Sequence, residues 1–277
     1  MSALREIDMP NLDELLAPID PDRPSGTDLR LVAGDLTLAT LDELRREADP
    51  RVDPGGETKH ADWRGAADLC DRTLRGKSKD LEIAAVYTQA LTHLQGLEGL
   101  AFGLRLLRAL VDGFWATVSP GYDEGEIIEA IRARPLSWIG TSRDFLAAVK
   151  KVPLSDPIGE EPRSWFDYEQ AQRLDKAGTK SDRAEFDELV EMGLIPTEDW
   201  HASLAATPPE RLQATLANLQ ACCDALGELT ALCDGKFTES APYFMDLTGL
   251  LDEMLEFLAT FAREGAAAAA AGGAAAG

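Results

Sequence analysis

One short stretch of the sequence comes nearest to known chemistry. Gly76, Lys77 and Ser78 reproduce the end of a phosphate-binding loop, in which backbone amides and a lysine hold nucleotide phosphates. That loop also needs a glycine five positions before Gly76, where this chain has Asp71, whose carboxylate would repel phosphate. The loop must follow a buried strand, whereas residues 61–74 have helical spacing. We therefore expect a turn in which Gly76 ends one helix and Ser78 caps the next, and a nucleotide-binding enzyme using Lys77 is the alternative.

The remaining candidates for catalysis or metal binding are weaker. His60, His93 and His201 are scattered, and the sequence contains no HExxH motif, zinc-finger spacing or GxSxG nucleophile motif. The acidic run at 123–126 is better explained as the start of a helix than as a cation site. We therefore predict no catalytic residue, no bound metal and no cofactor.

Composition restricts the classes of partner and the compartment. The 277 residues include 27 basic and 49 acidic side chains, and the formal charge of −22 opposes binding to nucleic acids and to anionic membranes. The four cysteines form no CxxC pair and lie among apolar residues, as reduced core thiols do. The sequence shows neither a signal peptide nor an apolar run long enough to cross a bilayer. We expect a cytoplasmic protein without direct membrane insertion.

The apolar residues recur at spacings of three and four along most of the chain, and no run alternates as a strand does. The fold prediction is all-α: a multi-helix bundle of about 8–11 antiparallel helices with no sheet. The helix at 79–95 is apolar on nearly all sides, which predicts a central position. Helices are expected at about 37–48, 60–75, 79–95, 97–118, 126–139, 164–176, 181–193, 208–234 and 242–264.

The predicted domain organisation is one helical domain over 1–264, with sub-bundles at about 1–152 and 164–264. Residues 265–277 contain only alanine and glycine, so we expect a linker toward an absent C-terminal domain in a truncated chain. The apolar stripes of the helices expected at 208–234 and 242–264 can pack against each other within one chain. Residues 1–264 are therefore expected to be monomeric or weakly dimeric, and the full-length protein to form a homo-oligomer through the missing domain.

Two places are candidates for protein contacts. Trp200 lies beside charged residues at a predicted helix start, so its indole is expected to be exposed and able to anchor a partner. The irregular 17–35 segment offers Arg23, Asp28 and Arg30 as polar contacts. The other tryptophans have apolar spacing and are expected to pack in the core.

Several segments together resemble the ImpA-type N-terminal domain that opens the TssA proteins of the bacterial type VI secretion system. The resemblance is strong over about residues 11–140 and looser beyond. Its most specific parts are the SKDL run at 78–81, the GLEGL turn at 96–100, and Phe114-Trp115 before Ser119-Pro120. The other matching segments are LLAPIDPDRPSGTDLR (15–30), ADWRGAADLCDRTL (61–74) and RPLSWI (134–139). After Arg30 the sequence departs from the family pattern.

The resemblance implies a non-enzymatic, cytoplasmic assembly component with no catalytic residues. Proteins of this family organise the baseplate and the contractile sheath and inner tube, and some reach membrane anchors. The implied partners are other secretion components: baseplate, sheath, tube and membrane complex. A generic helical adaptor that binds partner peptides is the second hypothesis, although no repeat of 34 or 40 residues is visible.

Overall fold

The computed structural model describes residues 8–48, 58–121, 128–156, 162–179 and 183–275. Over these ranges the chain forms eleven α-helices and one short 3₁₀ turn at Leu29–Leu31, with isolated β-bridges but no sheet. The all-α prediction is confirmed. The helices are α1 (Leu12–Leu16), α2 (Thr37–Arg45), α3 (Trp63–Gly76), α4 (Leu81–Phe114), α5 (Ile128–Thr141), α6 (Arg143–Lys150), α7 (Trp165–Thr179), α8 (Arg183–Glu191), α9 (Thr197–Ala205), α10 (Pro209–Lys236) and α11 (Met245–Ala275).

Helix α4 forms the centre of the fold, as its all-round apolar sequence predicts. Gly96, with φ of +62°, breaks it into two helical halves, which match the two helices expected on either side of that glycine. The first half packs antiparallel to α3: Trp63 stacks on His93 with ring centres 4.0 Å apart. The second half runs beside α10, where the Cys222 thiol donates to the Leu97 carbonyl at 3.2 Å. One hydrophobic core thus extends through both predicted sub-bundles.

The short segment between α3 and α4 is extended, and it pairs on one side with the loop at Ser25 and on the other with the loop at Ser119. Lys79 N donates to the Ser25 carbonyl at 2.8 Å, and Leu81 N donates to the Ser119 carbonyl at 2.8 Å. Because this pairing keeps the backbone extended through residue 80, the helix cap falls at Asp80, which accepts from the amides of residues 82 and 83. The prediction that Ser78 caps α4 is therefore wrong. Its hydroxyl lies 3.4 Å from Ser119 Oγ instead.

The second half of the chain confirms the two long helices and adds two short ones. Helix α6 was not predicted, and of α9 only a helix start near Trp200 was predicted. Both are short, and the Ser142 cap of α6 follows α5 with no loop between them. Helix α11 continues to Ala275, eleven residues beyond the predicted helix end at 264, and the expectation of a linker stays a prediction. Alanine has the highest helix propensity, and extending a helix that is already formed requires no new nucleation.

Candidate protein-contact surface

Four charged side chains join the loop at 28–30 to the start of α4, and we call them the Arg30 cluster: Asp28, Arg30, Asp80 and Glu82. Arg30 Nη1 donates to Asp80 Oδ2 at 2.7 Å and to Asp28 Oδ1 at 3.0 Å, while Nη2 donates to Glu82. Burial opposes the charge on Arg30, but its hydrogen bonds with Asp80 and Glu82 outweigh this and raise its pKa. The cluster thus fixes the loop to the central helix.

Asp28 also ties the cluster to the loop after α4. Its Oδ2 accepts from the backbone amide of Gly121 at 2.9 Å, and its side chain is 7% exposed. Burial opposes ionisation, yet the hydrogen bonds from Gly121 and Arg30 lower the pKa of this carboxyl. The ionised form of Asp28 is therefore the one that the fold stabilises.

Lys79 is fully buried directly behind this cluster. Its Nζ donates to the carbonyls of Leu15 at 2.5 Å and Leu74 at 2.7 Å, which lie in the last turns of α1 and α3. The ring of Phe114 lies 5.9 Å from the ammonium group. Burial and the nearby charge of Arg75 lower the pKa of Lys79 to about 8. An ammonium at two helix C-termini satisfies carbonyls that have no partner within their own helices.

A second buried cation holds the turn after α4. Arg132, on α5, donates to the carbonyls of Pro120 at 3.1 Å and Val118 at 2.8 Å, and also to that of Trp115. Its guanidinium lies 5.0 Å from the centre of the Trp115 ring, and burial lowers its pKa. The position of α5 is thus fixed relative to α4 by an arginine that donates from each of its three nitrogens to a backbone carbonyl.

Beside the Arg30 cluster lies a groove of about 700 Å³ between α2, α4 and α5, which we call the α5 groove. Its floor is apolar, and Leu31 at its rim is 62% exposed. The guanidinium of Arg45, the last residue of α2, lies over the ring of Trp138 at 5.2 Å. Arg134 lines both this groove and a neighbouring cavity of about 410 Å³ on the other side of Trp138. The two cavities form one band across α5.

The prediction that Trp200 is exposed is wrong. Its side chain is 1% exposed, and its indole N–H donates to the Ser164 carbonyl at 3.0 Å. It packs against Tyr168 and Phe257, with ring centres 4.8 Å and 5.6 Å away. Because Trp200 lies in the middle of α9, on the face turned toward α7 and α11, it closes an aromatic cluster inside the domain. It contributes to the core and offers no surface to a partner.

The predicted contact residues of the 17–35 segment divide into two kinds. Arg23 is exposed and borders a smaller cavity of about 370 Å³ that Lys77 also lines. Asp28 and Arg30 are held in the Arg30 cluster, and only Arg30 also lines the α5 groove. Contact of a partner with Arg23 stays a prediction. Asp28 positions Arg30 rather than presenting its own carboxylate.

The apparent phosphate loop has none of the required geometry. Helix α3 runs directly into Gly76, and the carboxylate of Asp71 accepts from Arg75 Nε at 2.7 Å and from the Tyr87 hydroxyl at 3.2 Å. Lys77 Nζ lies 3.3 Å from Asp35 Oδ2, with its side chain 53% exposed. Over the described ranges no group of three or more histidine, cysteine or carboxylate side chains could hold a metal ion, and the acidic run at 123–126 lies outside those ranges.

Sequence patterns missed the α5 groove because its residues come from distant segments. Trp138 was assigned to the core, but it is half-buried, with its ring under Arg45. The available signal was the RPLSWI run, in which two polar residues flank apolar ones on a single helix. The pairing with Arg45 of α2 depends on tertiary structure, which no local pattern contains.

Comparisons with known proteins all find similarity to components of the type VI secretion system. Residues 16–141 match the family described as ImpA, N-terminal, type VI secretion system. Over 111 residues the chain is 36% identical to the type VI secretion system component TssA1 of Pseudomonas aeruginosa. That alignment spans 39% of this chain and 31% of the Pseudomonas protein, so it covers less than a third of its length.

A solved structure matches nearly the whole chain. It is the N-terminal domain, including the conserved ImpA_N region, of the TssA component from Burkholderia cenocepacia. The match has a TM-score of 0.78 at 30% identity and covers 93% of this chain and 96% of that one. The all-helical fold with its buried charge clusters is thus that of a type VI secretion component. The chain belongs to the TssA family, as an N-terminal domain containing the ImpA_N region.

Proposed function

We propose that this chain is a non-enzymatic, cytoplasmic assembly module that helps organise the baseplate and the contractile sheath and tube of a type VI secretion system. The observation that carries the proposal is the match along 93% of the chain to the N-terminal domain of the Burkholderia TssA component. Its proposed partners are the baseplate, sheath, tube and membrane complex, with no binding to nucleic acid. The full-length protein is proposed to form a homo-oligomer.

The hydrogen bonds of the charged residues, which go to groups of the chain itself, support a scaffold role. Lys79 and Arg132 donate to carbonyls of the chain itself, and Arg30 donates to carboxylates of the chain itself. These contacts fix three loops and α5 against α4, which makes the outer surface rigid. A rigid surface suits assembly because little conformational entropy is lost when a partner binds. No helix within the described ranges is long and apolar enough to cross a membrane.

Gene deletion in the source bacterium tests this function. We expect the deletion to abolish release of the tube protein into the culture medium, and the wild-type gene supplied in trans to restore it. Cell lysis is monitored with a cytoplasmic marker, so that release reports secretion alone. Tube-protein release at the wild-type level in the deletion strain would contradict the proposed function.

A further inference from the structure

Three of the segments that carry the family resemblance meet at the α5 groove. Arg30 ends the first segment, Glu82 follows the SKDL run, and Arg134 and Trp138 belong to RPLSWI. All four line the same groove, and the Arg30 cluster and Arg132 hold its walls in place. The groove is therefore a preformed feature of the domain, which limits the entropy lost on binding.

The floor and rim of the groove suit an apolar side chain. Val86 of α4 and Ile131 and Pro135 of α5 contribute to the floor, together with the half-buried ring of Trp138. Leu31 is 62% exposed at the rim. An aromatic ring beside aliphatic side chains in a concave surface is a common anchor position in protein interfaces.

Away from the Arg30 cluster, the charge of the groove lining is opposite to the trend of the chain. Carboxylates outnumber basic side chains 49 to 27 in the whole sequence, yet three arginines and two carboxylates line this groove. Arg30 and Glu82 are bound to each other within the Arg30 cluster, and the charged residues of the remaining lining are two arginines, Arg45 and Arg134, and one carboxylate, Asp42. The guanidinium of Arg45 lies over the Trp138 ring, and a guanidinium can contact a ring with its face while the N–H groups at its edge bind a carboxylate.

We propose that the α5 groove docks a short segment of another secretion component, in which a carboxylate lies next to a bulky apolar side chain. The apolar side chain fills the floor beside Trp138, and the carboxylate binds Arg45 at the rim. This inference rests on the proposed function, because it names the chemistry of one partner of the same module. A second copy of the chain is disfavoured as the occupant by the mutual repulsion of two molecules carrying −22 each.

Fluorescence polarisation with defined peptides tests the docking site on the complete 277-residue chain. The probes are labelled peptides of about twelve residues with leucine or phenylalanine next to glutamate, and matched sets with glutamine or lysine in place of glutamate. We expect the glutamate set to bind at least about tenfold more tightly than the glutamine set, and the lysine set more weakly still. Equal affinity of the three sets, or no binding of any glutamate peptide up to about 1 mM, overturns the proposal.

Two variants locate the binding site. Arg45→Glu places a carboxylate opposite the carboxylate of the ligand, and it is expected to weaken the affinity for the glutamate peptides by about tenfold or more. Arg46→Glu is the matched control, since Arg46 is adjacent, is bound to Glu43 and does not line the groove. Circular dichroism checks that both variants keep the helical fold. Equal weakening in both variants would overturn the assignment to the groove.

Light scattering and the secretion assay separate the other outcomes. Concentration-dependent dimerisation that Arg45→Glu abolishes would show that a second copy occupies the groove, and would overturn the proposal. Loss of secretion in the deletion strain, combined with no peptide selectivity, would contradict the docking site alone. Peptide selectivity together with normal secretion in the deletion strain would contradict the proposed function instead.

Discussion

At the scale of single residues, the buried Lys79 and Arg132 and the partly exposed Arg30 hold separate segments of the chain together. Lys79 connects the ends of α1 and α3, Arg132 holds the turn after α4, and Arg30 joins two loops to the central helix. Each is surrounded by oxygen acceptors from the chain itself, which offsets the cost of burying a charge. Neighbouring Lys77 is exposed, with one carboxylate beside it. We therefore expect these two lysines, separated by one residue, to differ in their contribution to stability.

Substitution of these two lysines measures that difference. Lys79→Ala is expected to lower the free energy of unfolding by about 3 kcal/mol, because two helix-terminal carbonyls lose a charged donor inside the core. Lys77→Ala is expected to change it by less than about 0.5 kcal/mol, because an exposed ion pair contributes little. Urea denaturation monitored by circular dichroism gives both values.

Calorimetry with ATP on the same variants tests the nucleotide alternative. We expect no binding in the wild-type chain, because Asp71 and the helical segment before Gly76 exclude a phosphate loop. Micromolar ATP binding that Lys77→Ala abolishes would restore the enzyme hypothesis.

The lowered pKa of Asp28 predicts a specific dependence of stability on pH. Because the folded-state pKa lies below the unfolded value of 3.8, this carboxylate stabilises the fold above that pH, and its contribution is lost as the pH falls through the folded pKa. Asp28→Asn should reduce the free energy of unfolding by about 2 kcal/mol at neutral pH. The wild-type chain and the variant should converge once the pH has fallen below the folded-state pKa of Asp28. A constant difference between them from neutral to acidic pH would refute this assignment.

At the scale of helices, periodicity located the long elements because each has a clear apolar stripe. The expected helix at 208–234 corresponds to α10 at Pro209–Lys236, and the break between the halves of α4 lies at the predicted glycine. The extents of α6 and α9, with eight and nine residues, were not predicted, although α2 and α8, with nine residues each, were. The burial of Trp200 could not be read locally, because the rings that cover it come from α7 and α11. The α5 groove could not be predicted for the same reason, because its residues come from segments far apart in the sequence.

Close helix packing at Gly99 gives a prediction at this scale. A Cβ atom there would lie 2.2 Å from the carbonyl oxygen of Leu91, across the break in α4. Gly99→Ala is therefore expected to cost about 1–3 kcal/mol by forcing the two halves of α4 apart. Gly113 lies in the same helix, and a Cβ atom added there would meet no atom within 4 Å, so Gly113→Ala should be neutral or stabilise by up to about 1 kcal/mol. Thermal unfolding distinguishes the two, and equal shifts in both variants would argue against tight packing at Gly99.

At the scale of the whole molecule, the chain covers its own apolar helices. The buried stripe of α10 packs between α4 and α11, and α11 contributes Leu251, Met254 and Leu258 to the same core. We therefore expect the 277-residue chain to be monomeric or weakly dimeric at both about 50 mM and about 500 mM salt, where repulsion between acidic surfaces is screened to different degrees. Light scattering coupled to size exclusion measures this. A stable hexamer at both salt concentrations would mean that the ring-forming surface lies in this chain.

Imaging of a fluorescent sheath subunit in living cells tests the central claim most directly. The source bacterium without the gene is supplied with the wild-type gene, with Arg45→Glu, with the control Arg46→Glu or with no gene, and protein levels are compared by immunoblot. An assembly module acting through the α5 groove predicts frequent sheaths with wild type and Arg46→Glu, and about tenfold fewer with Arg45→Glu or no gene. Sheaths at wild-type frequency in cells lacking the gene would contradict the assignment of this chain to type VI secretion assembly.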